Sequence, residues 1–419
     1  MKVFLRIVLF CFLVGIGSSC KKSDDPKAPE APYTILCYLS GNEGGKWGNL
    51  DRYLKQNLVD MCYGLADKKK AVQVLVYYRA KVTDEEVTAP TIYSFSFDGY
   101  GKINGKAAPG KYADFAEVLK IADVKKQYPT SDNSMYPKTM GKVLGDLKSF
   151  SKKNKYVLIM GTHATGWLKG KLVYNTRSFG NDNGYSIDLP EFHQVLAQHF
   201  NTDNLECLFL DACMMGTAEV AYEMRNITKY FLFSVMETPI AGYPYEKIIP
   251  LFLTEKVNYQ EVCDQFKAHY VSKGLWGTSA AVKASAMGEL AGSVRTELNK
   301  IKDTLKSIDL ESIQQYGIDN APDEEFEWAD FSYDIGDFFR VASNGTLPAS
   351  IYSALNNAVI AKSVLSGEEG FQFRGLTVAK DKFSGIGMYL PMREKNTWND
   401  FFKTLQWYSA AGWNTYYPL

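Results

Sequence analysis

The chain has 419 residues, 46% hydrophobic and 22% charged, enough to bury a sizeable core in one large α/β domain or in two or three smaller ones. Lys plus Arg and Asp plus Glu both number 47, and no basic run exceeds three residues, which argues against a nucleic-acid binder. Seven cysteines are too sparse for a disulfide scaffold, and four histidines leave metal or acid–base chemistry few places to sit.

In chain order, the first feature is a targeting segment. Met1 to Arg6 form a short positive region, Ile7 to Ile16 an apolar one, and Gly17-Ser18-Ser19 lead to Cys20. About ten apolar residues are too short to span a bilayer, which needs ~20. The ending resembles a lipoprotein signal over residues 1–19, with Cys20 as the lipidated residue and 20–32 as a polar tether. Beyond it, strand-like runs are expected at 33–39, 72–78, 91–97, 156–162, 206–211 and 230–235. Several are apolar on both faces, as buried parallel strands are. Amphipathic segments at 50–63, 112–122, 137–153, 189–200 and 215–225 alternate with them. The alternation predicts a parallel or mixed α/β sheet with helices on both faces, occupying 33–250. Residues 251–419 read as more helical (246–253, 259–272, 289–308, 348–362). Strand-like pieces at 280–287, 371–378 and 385–390 could complete the same sheet, and the acidic stretch 319–327 reads as a surface loop.

Two strand ends carry possible chemistry. Tyr156–Met160 runs into Gly161-Thr162-His163-Ala164-Thr165-Gly166-Trp167, and Leu208–Leu210 runs into Asp211-Ala212-Cys213-Met214-Met215-Gly216. Loops at the carboxyl ends of parallel strands form the functional crevice of an open α/β sheet. An imidazole beside a thiol can hold it as the nucleophilic thiolate, and a helix starting directly after Cys213 would favour the thiolate further. A packed thiol and a loop histidine are the plainer alternative. Cys37, Cys62, Cys207 and Cys263 sit in apolar patterns that suit a core. His193, His199 and His269 fall in helices, where solvated or capping roles are expected. No metal-ligand spacing is present.

The segments around His163 and Cys213 resemble the clostripain family of cysteine peptidases, in the caspase-like clan. The resemblance is carried by Met135–Met140, by His163-Ala164-Thr165-Gly166-Trp167-Leu168, by Ser178–Asp182 with Ser186–Leu189, by Asp211–Glu223, and by Glu237–Tyr245. It implies a caspase-like, mostly parallel sheet and a peptidase with Cys213 as nucleophile and His163 as general acid and base. The oxyanion would rest on the backbone N–H groups of Cys213 and Ala164. Ala164 stands where the family has Gly; it keeps the N–H but adopts positive φ less readily. That departure supports the alternative expectation, a catalytically silent surface lipoprotein serving as a binding or scaffold module. A ligase using the same dyad is a weaker third.

Family members that cleave after Arg or Lys imply an acidic pocket for the residue before the scissile bond (P1). Asp211 and Glu237 are the candidates, Asp211 serving equally as a cap for a helix starting near Met214. Lys169, Lys171 and Arg177, between the two motifs, are possible self-processing sites. The resemblance allows calcium dependence, although no stretch resembles a calcium loop, and no other cofactor is expected. The expected partners are a peptide or protein substrate and, through Cys20, a membrane of the cell envelope, at the outer membrane or cell surface; nucleic acid is not among them.

Overall fold

A computed structural model describes residues 27–43, 50–83, 88–169, 178–317, 331–365, 371–373, 375–392 and 396–419. The first half contains β1 (Thr34–Ser40), α1 (Leu50–Leu65), β2 (Val72–Arg79), β3 (Thr91–Phe97), β4 (Lys102–Ile103), β5 (Lys106–Ala107), α2 (Phe115–Ile121), β6 (Asp123–Gln127), α3 (Pro137–Phe150) and β7 (Tyr156–Gly161). There follow β8 (Phe179–Asp182), β9 (Tyr185–Ile187), α4 (Leu189–Ala197), β10 (Leu205–Asp211), α5 (Ala218–Glu223), β11 (Tyr230–Phe233) and α6 (Tyr245–Ile248). The remainder holds α7 (Tyr259–Val271), β12 (Thr278–Lys283), α8 (Met287–Ile301), β13 (Tyr333–Asp334), α9 (Ile335–Ala342), α10 (Ala349–Ala358), β14 (Val359–Val364), β15 (Gly387–Met388) and α11 (Asn396–Phe402).

Eleven strands among the described residues form one sheet, ordered β14-β12-β11-β10-β7-β1-β2-β3-β4-β5 with β6 beside β3. Its centre, β2-β1-β7-β10-β11, is parallel throughout, so five strands end at the same edge. On one side β3 joins antiparallel; on the other β12, and β14 beyond it, are antiparallel too.

The central strands are buried along their whole length, and successive residues feed two different cores. Leu36, Leu158, Met160, Leu208 and Leu210 pack on one face against α3, α4, α5 and α8. Ile35, Cys37, Val157, Ile159, Cys207 and Phe209 pack on the other against α1, α6 and α7. The expected mostly parallel sheet between helical layers is the architecture observed, and Cys37, Cys62, Cys207 and Cys263 are all buried.

Several boundaries differ from the sequence reading. The helix expected over 348–362 ends at Ala358, and the chain turns at once into β14, whose Val-Ile-Ala-Lys-Ser-Val run suits a strand. The helix expected from 289 starts at Met287 and stops at Ile301. Residues 371–378 hold no strand among those described, only a bridge between Phe373 and Leu376. The edge strand β6 escapes notice because it is charged and largely exposed, without an apolar face. The stretch 319–327 lies outside the described residues, as do Cys20, Lys171 and Arg177.

Candidate active site

The register between β7 and β10 determines what the two motifs can do together. Gly161 pairs with Asp211 at the ends of these adjacent parallel strands. His163 and Cys213 each lie two residues beyond that pair, on neighbouring loops at one edge of the sheet.

The loop after β7 is fixed from several directions. Gly180 N–H donates to the His163 carbonyl at 2.8 Å, and Thr165 N–H to the Ser178 carbonyl at 3.0 Å. Gly166 has φ of +68°, and a Cβ there would stand 2.6 Å from the Met214 carbonyl oxygen, so only glycine lets the two loops approach so closely. Trp167 is fully buried, stacked near Phe331 and tilted against Tyr389 at 4.7 Å between ring centres. Ala164, where positive φ was the concern, takes none. Among the described residues of the loop, the one with positive φ is Gly166, so at its own backbone Ala164 forgoes nothing that glycine would supply.

The loop after β10 differs from expectation at its start. No helix begins beside Cys213: Met214 has φ of +59°, and α5 begins only at Ala218, capped by Thr217. A six-residue helix starting five residues away cannot be credited with stabilising the thiolate, and Asp211 is not its cap. Backbone bonds from Met214 N–H to Met236 (3.1 Å) and from Gly216 N–H to Ser234 (2.8 Å) pin this loop to the one after β11.

Cys213 is half-buried, unlike the four other described thiols. Thr238 N–H donates to its Sγ at 3.4 Å, and the Thr238 carbonyl accepts from the thiol at 3.8 Å. Burial and the negative charge of Glu237 push the thiol well above its usual range, the Thr238 hydrogen bond opposes them, and Asp211 adds a smaller upward push. His163, with a quarter of its side chain exposed, bonds through Nε2 to a carboxylate oxygen of Glu43, whose side chain is 1% exposed. Among the described residues no hydrogen bond joins His163 to Cys213. The arrangement therefore holds a neutral thiol at rest, and proton exchange between the two groups would need the imidazole to close on it, as contacts of this kind often tighten only around a bound substrate. Neither the Ala164 N–H nor the Cys213 N–H donates to any acceptor among the described residues.

Asp211 lies under the loop after β11. It is 7% exposed, its Oδ1 has no hydrogen-bond partner among the described residues, and Gly242 (φ +68°) crosses so near that a Cβ would stand 2.6 Å from Oδ2. Burial raises its carboxyl to about 7, against the nearby Tyr245 hydroxyl and Tyr243 amide. Glu237 is half-buried on the same loop. Lys169 is half-exposed, 3.9 Å from Asp188. No group of three or more His, Cys, Asp or Glu side chains gathers as metal ligands among the described residues, and no described helix is long and apolar enough to cross a membrane.

Sequence reasoning missed Glu43 and Thr238. Glu43 stands just past β1, the strand beside β7, so the strand-end rule applied to every central strand would have found it. Nothing in its local pattern, Ser-Gly-Asn-Glu-Gly-Gly, would have.

The profile of the clostripain family (Peptidase_C11) matches residues 38–417. Clostripain of Hathewaya histolytica is 23% identical over 232 residues, which cover 51% of this chain and 41% of that protein. The match thus spans less than half the length of that relative. An inactive zymogen C11 protease from Parabacteroides distasonis superposes with a TM-score of 0.69 at 21% identity, over 91% of this chain and 98% of that one. A secreted C11 cysteine protease from Bacteroides thetaiotaomicron, solved with an irreversible peptide inhibitor, gives 0.68 at 20% identity, over 91% and 99%. At these identities the likeness speaks for the fold.

Proposed function

The chain belongs to the clostripain family, and from that premise we propose that it is a cysteine endopeptidase acting through Cys213 and His163. The observation that carries the reading is the Gly161–Asp211 register, which brings both groups to one edge on adjacent loops. His163 takes the thiol proton, Sγ attacks the scissile carbonyl, the imidazolium protonates the departing amine, and the neutral imidazole so restored activates water for deacylation. The uncommitted N–H groups of Ala164 and Cys213 suit the developing oxyanion.

Cleavage after Arg or Lys is the specificity this site favours. A guanidinium or ammonium entering beside Asp211 would partner an oxygen that otherwise has none, and draw the carboxyl back to its charged form. Glu237, already close enough to act on the thiol, is the second acid of that pocket. A basic-residue cutter could process itself at Lys169, Lys171 or Arg177. The N-terminal residues 1–19 support export as a lipoprotein anchored at Cys20, which puts the peptidase in the cell envelope. Within it, 33–250 would carry the catalysis and 251–419 would extend and buttress the sheet. Calcium dependence has only the family resemblance behind it.

The test uses protein lacking residues 1–19 with fluorogenic peptides bearing Arg, Lys or Glu at P1. Turnover of the basic substrates, lost in both Cys213→Ala and His163→Ala, is the expected result. An absence of turnover, with Cys213 no more reactive toward iodoacetamide than Cys62, would instead favour a silent binding module.

A further inference from the structure

A thiol and an imidazole suffice for the proposed chemistry, yet a third group is built against the imidazole. Glu43 is almost wholly buried, and both its oxygens are engaged: Oε1 accepts from the Leu50 N–H at the start of α1 at 2.8 Å, and Oε2 meets His163 Nε2. The preceding residue is clamped as well. Asn42 Nδ2 donates to Asp182 at 2.5 Å, its Oδ1 accepts from Val82 N–H at 2.9 Å, and its carbonyl accepts from Asn183 N–H at 2.7 Å. A carboxylate held at both oxygens and through its neighbour has one orientation to offer the ring.

We propose that Glu43 is a positioning residue for His163, fixing the imidazole as its Nε2–H tautomer and stabilising the imidazolium, so that Nδ1 is the nitrogen that exchanges protons. The proposal rests on the reading of His163 as the acid–base group. A hydrogen bond at one ring nitrogen decides which form the other takes, and a neighbouring carboxylate favours the protonated ring. The Cys213 proton passes to Nδ1 as the Sγ–C bond forms. Nδ1–H then protonates the amine as the C–N bond breaks. Water next gives its proton to Nδ1 as it attacks, and that proton returns to Sγ as the thioester opens. Glu43 takes up no proton in the cycle, and no net proton is lost.

Among the described residues, charged groups on the surrounding elements have partners of their own. Asp51 on α1 holds Lys55 at 2.8 Å and the Tyr78 hydroxyl at 2.5 Å. Arg79 at the end of β2 pairs with Asp182 at the end of β8, 3.1 Å apart and both buried. Asp211 and Glu237, beyond β10 and β11, act on the thiol.

Ring nitrogen NMR in Cys213→Ala protein tests this without any turnover. The neutral ring is expected as the Nε2–H tautomer, and Glu43→Gln, whose amide oxygen can still accept from Nε2–H, should keep it. Glu43→Ala should mix the tautomers. In protein that keeps Cys213, Glu43→Gln should cut kcat about 10- to 100-fold and leave KM within about twofold. A role confined to capping α1 would lower Tm but leave the tautomer and kcat in place. That result, an Nε2–H tautomer unchanged by Glu43→Ala included, would overturn the proposal. If unmodified protein cuts no peptide while the NMR shifts appear, the peptidase reading falls and the hold of Glu43 on His163 stands.

Discussion

The two loops that would form the dyad are held in opposite ways. The loop after β7 offers His163 Nε2 to a buried carboxylate and is seated by one large buried side chain, Trp167. The loop after β10 keeps Cys213 beside acids and a dry wall, which favour a proton on sulfur, and is seated by backbone hydrogen bonds to the loop after β11. The sulfur is held to its proton, so the proposed thiolate–imidazolium pair must form at the expense of its surroundings. The consequence is a site whose reactivity depends on what enters it: a substrate cation beside Asp211 and Glu237 would remove the opposing charge.

Perturbing each loop in turn tests this contrast. The largest effect is expected from Trp167→Ala, which empties a fully buried aromatic site and should cost about 3–5 kcal/mol in denaturant unfolding. An intact unfolding midpoint would mean that the His loop is not seated by this ring. Gly166→Ala forces a side chain into a left-handed conformation and against the Met214 carbonyl, separating the two loops. A loss of roughly 1–3 kcal/mol is expected, with peptidase activity falling more steeply than stability.

Asp211→Asn addresses the Cys side. The folded carboxyl titrates at about 7 and the unfolded one near 3.8, so the native state loses stability as pH rises between these values. Asn does not titrate. The variant should therefore gain on the parent above pH 7, on the order of 2 kcal/mol, with the difference closing below about pH 4. Paired unfolding curves at pH 4 and pH 8 measure it, and the same variant should lose preference for basic P1 residues. Glu219, buried and also raised to about 7, contributes the same trend to both proteins and cancels in the comparison. The smallest effect is reserved for Ala164→Gly. Because Ala164 already has negative φ and retains its N–H, activity should stay within about threefold and stability should fall by no more than about 1 kcal/mol.

What could be read from the chain follows from where information is local. β1, β7 and β10 are apolar on both faces, and that pattern belongs to parallel strands between helical layers. His163, Cys213 and Asp211 sit in runs distinctive enough to point to a family. The late start of α5 was not legible, because Met214-Met215-Gly216-Thr217-Ala218 is compatible with a helix and only the backbone bonds to Ser234 and Met236 delay it. β14 was hidden inside a helical reading because Ala354 to Ala358 favours helix up to its first residue. Glu43 was overlooked for a different reason: its place past β1 is readable, but no local motif marks it and its partner lies 120 residues away.

The seating of Trp167 has one more consequence, for the order of assembly. The rings around it, Phe331, Tyr389, Trp398 and Phe402, come from far downstream, so the histidine loop depends on residues the ribosome makes long after it. Contacts of such long sequence separation form late in folding. A nascent chain would thus carry an unfinished site until those rings have emerged, and limited proteolysis of chains truncated before Tyr389 should find the segment around Trp167 open to cleavage.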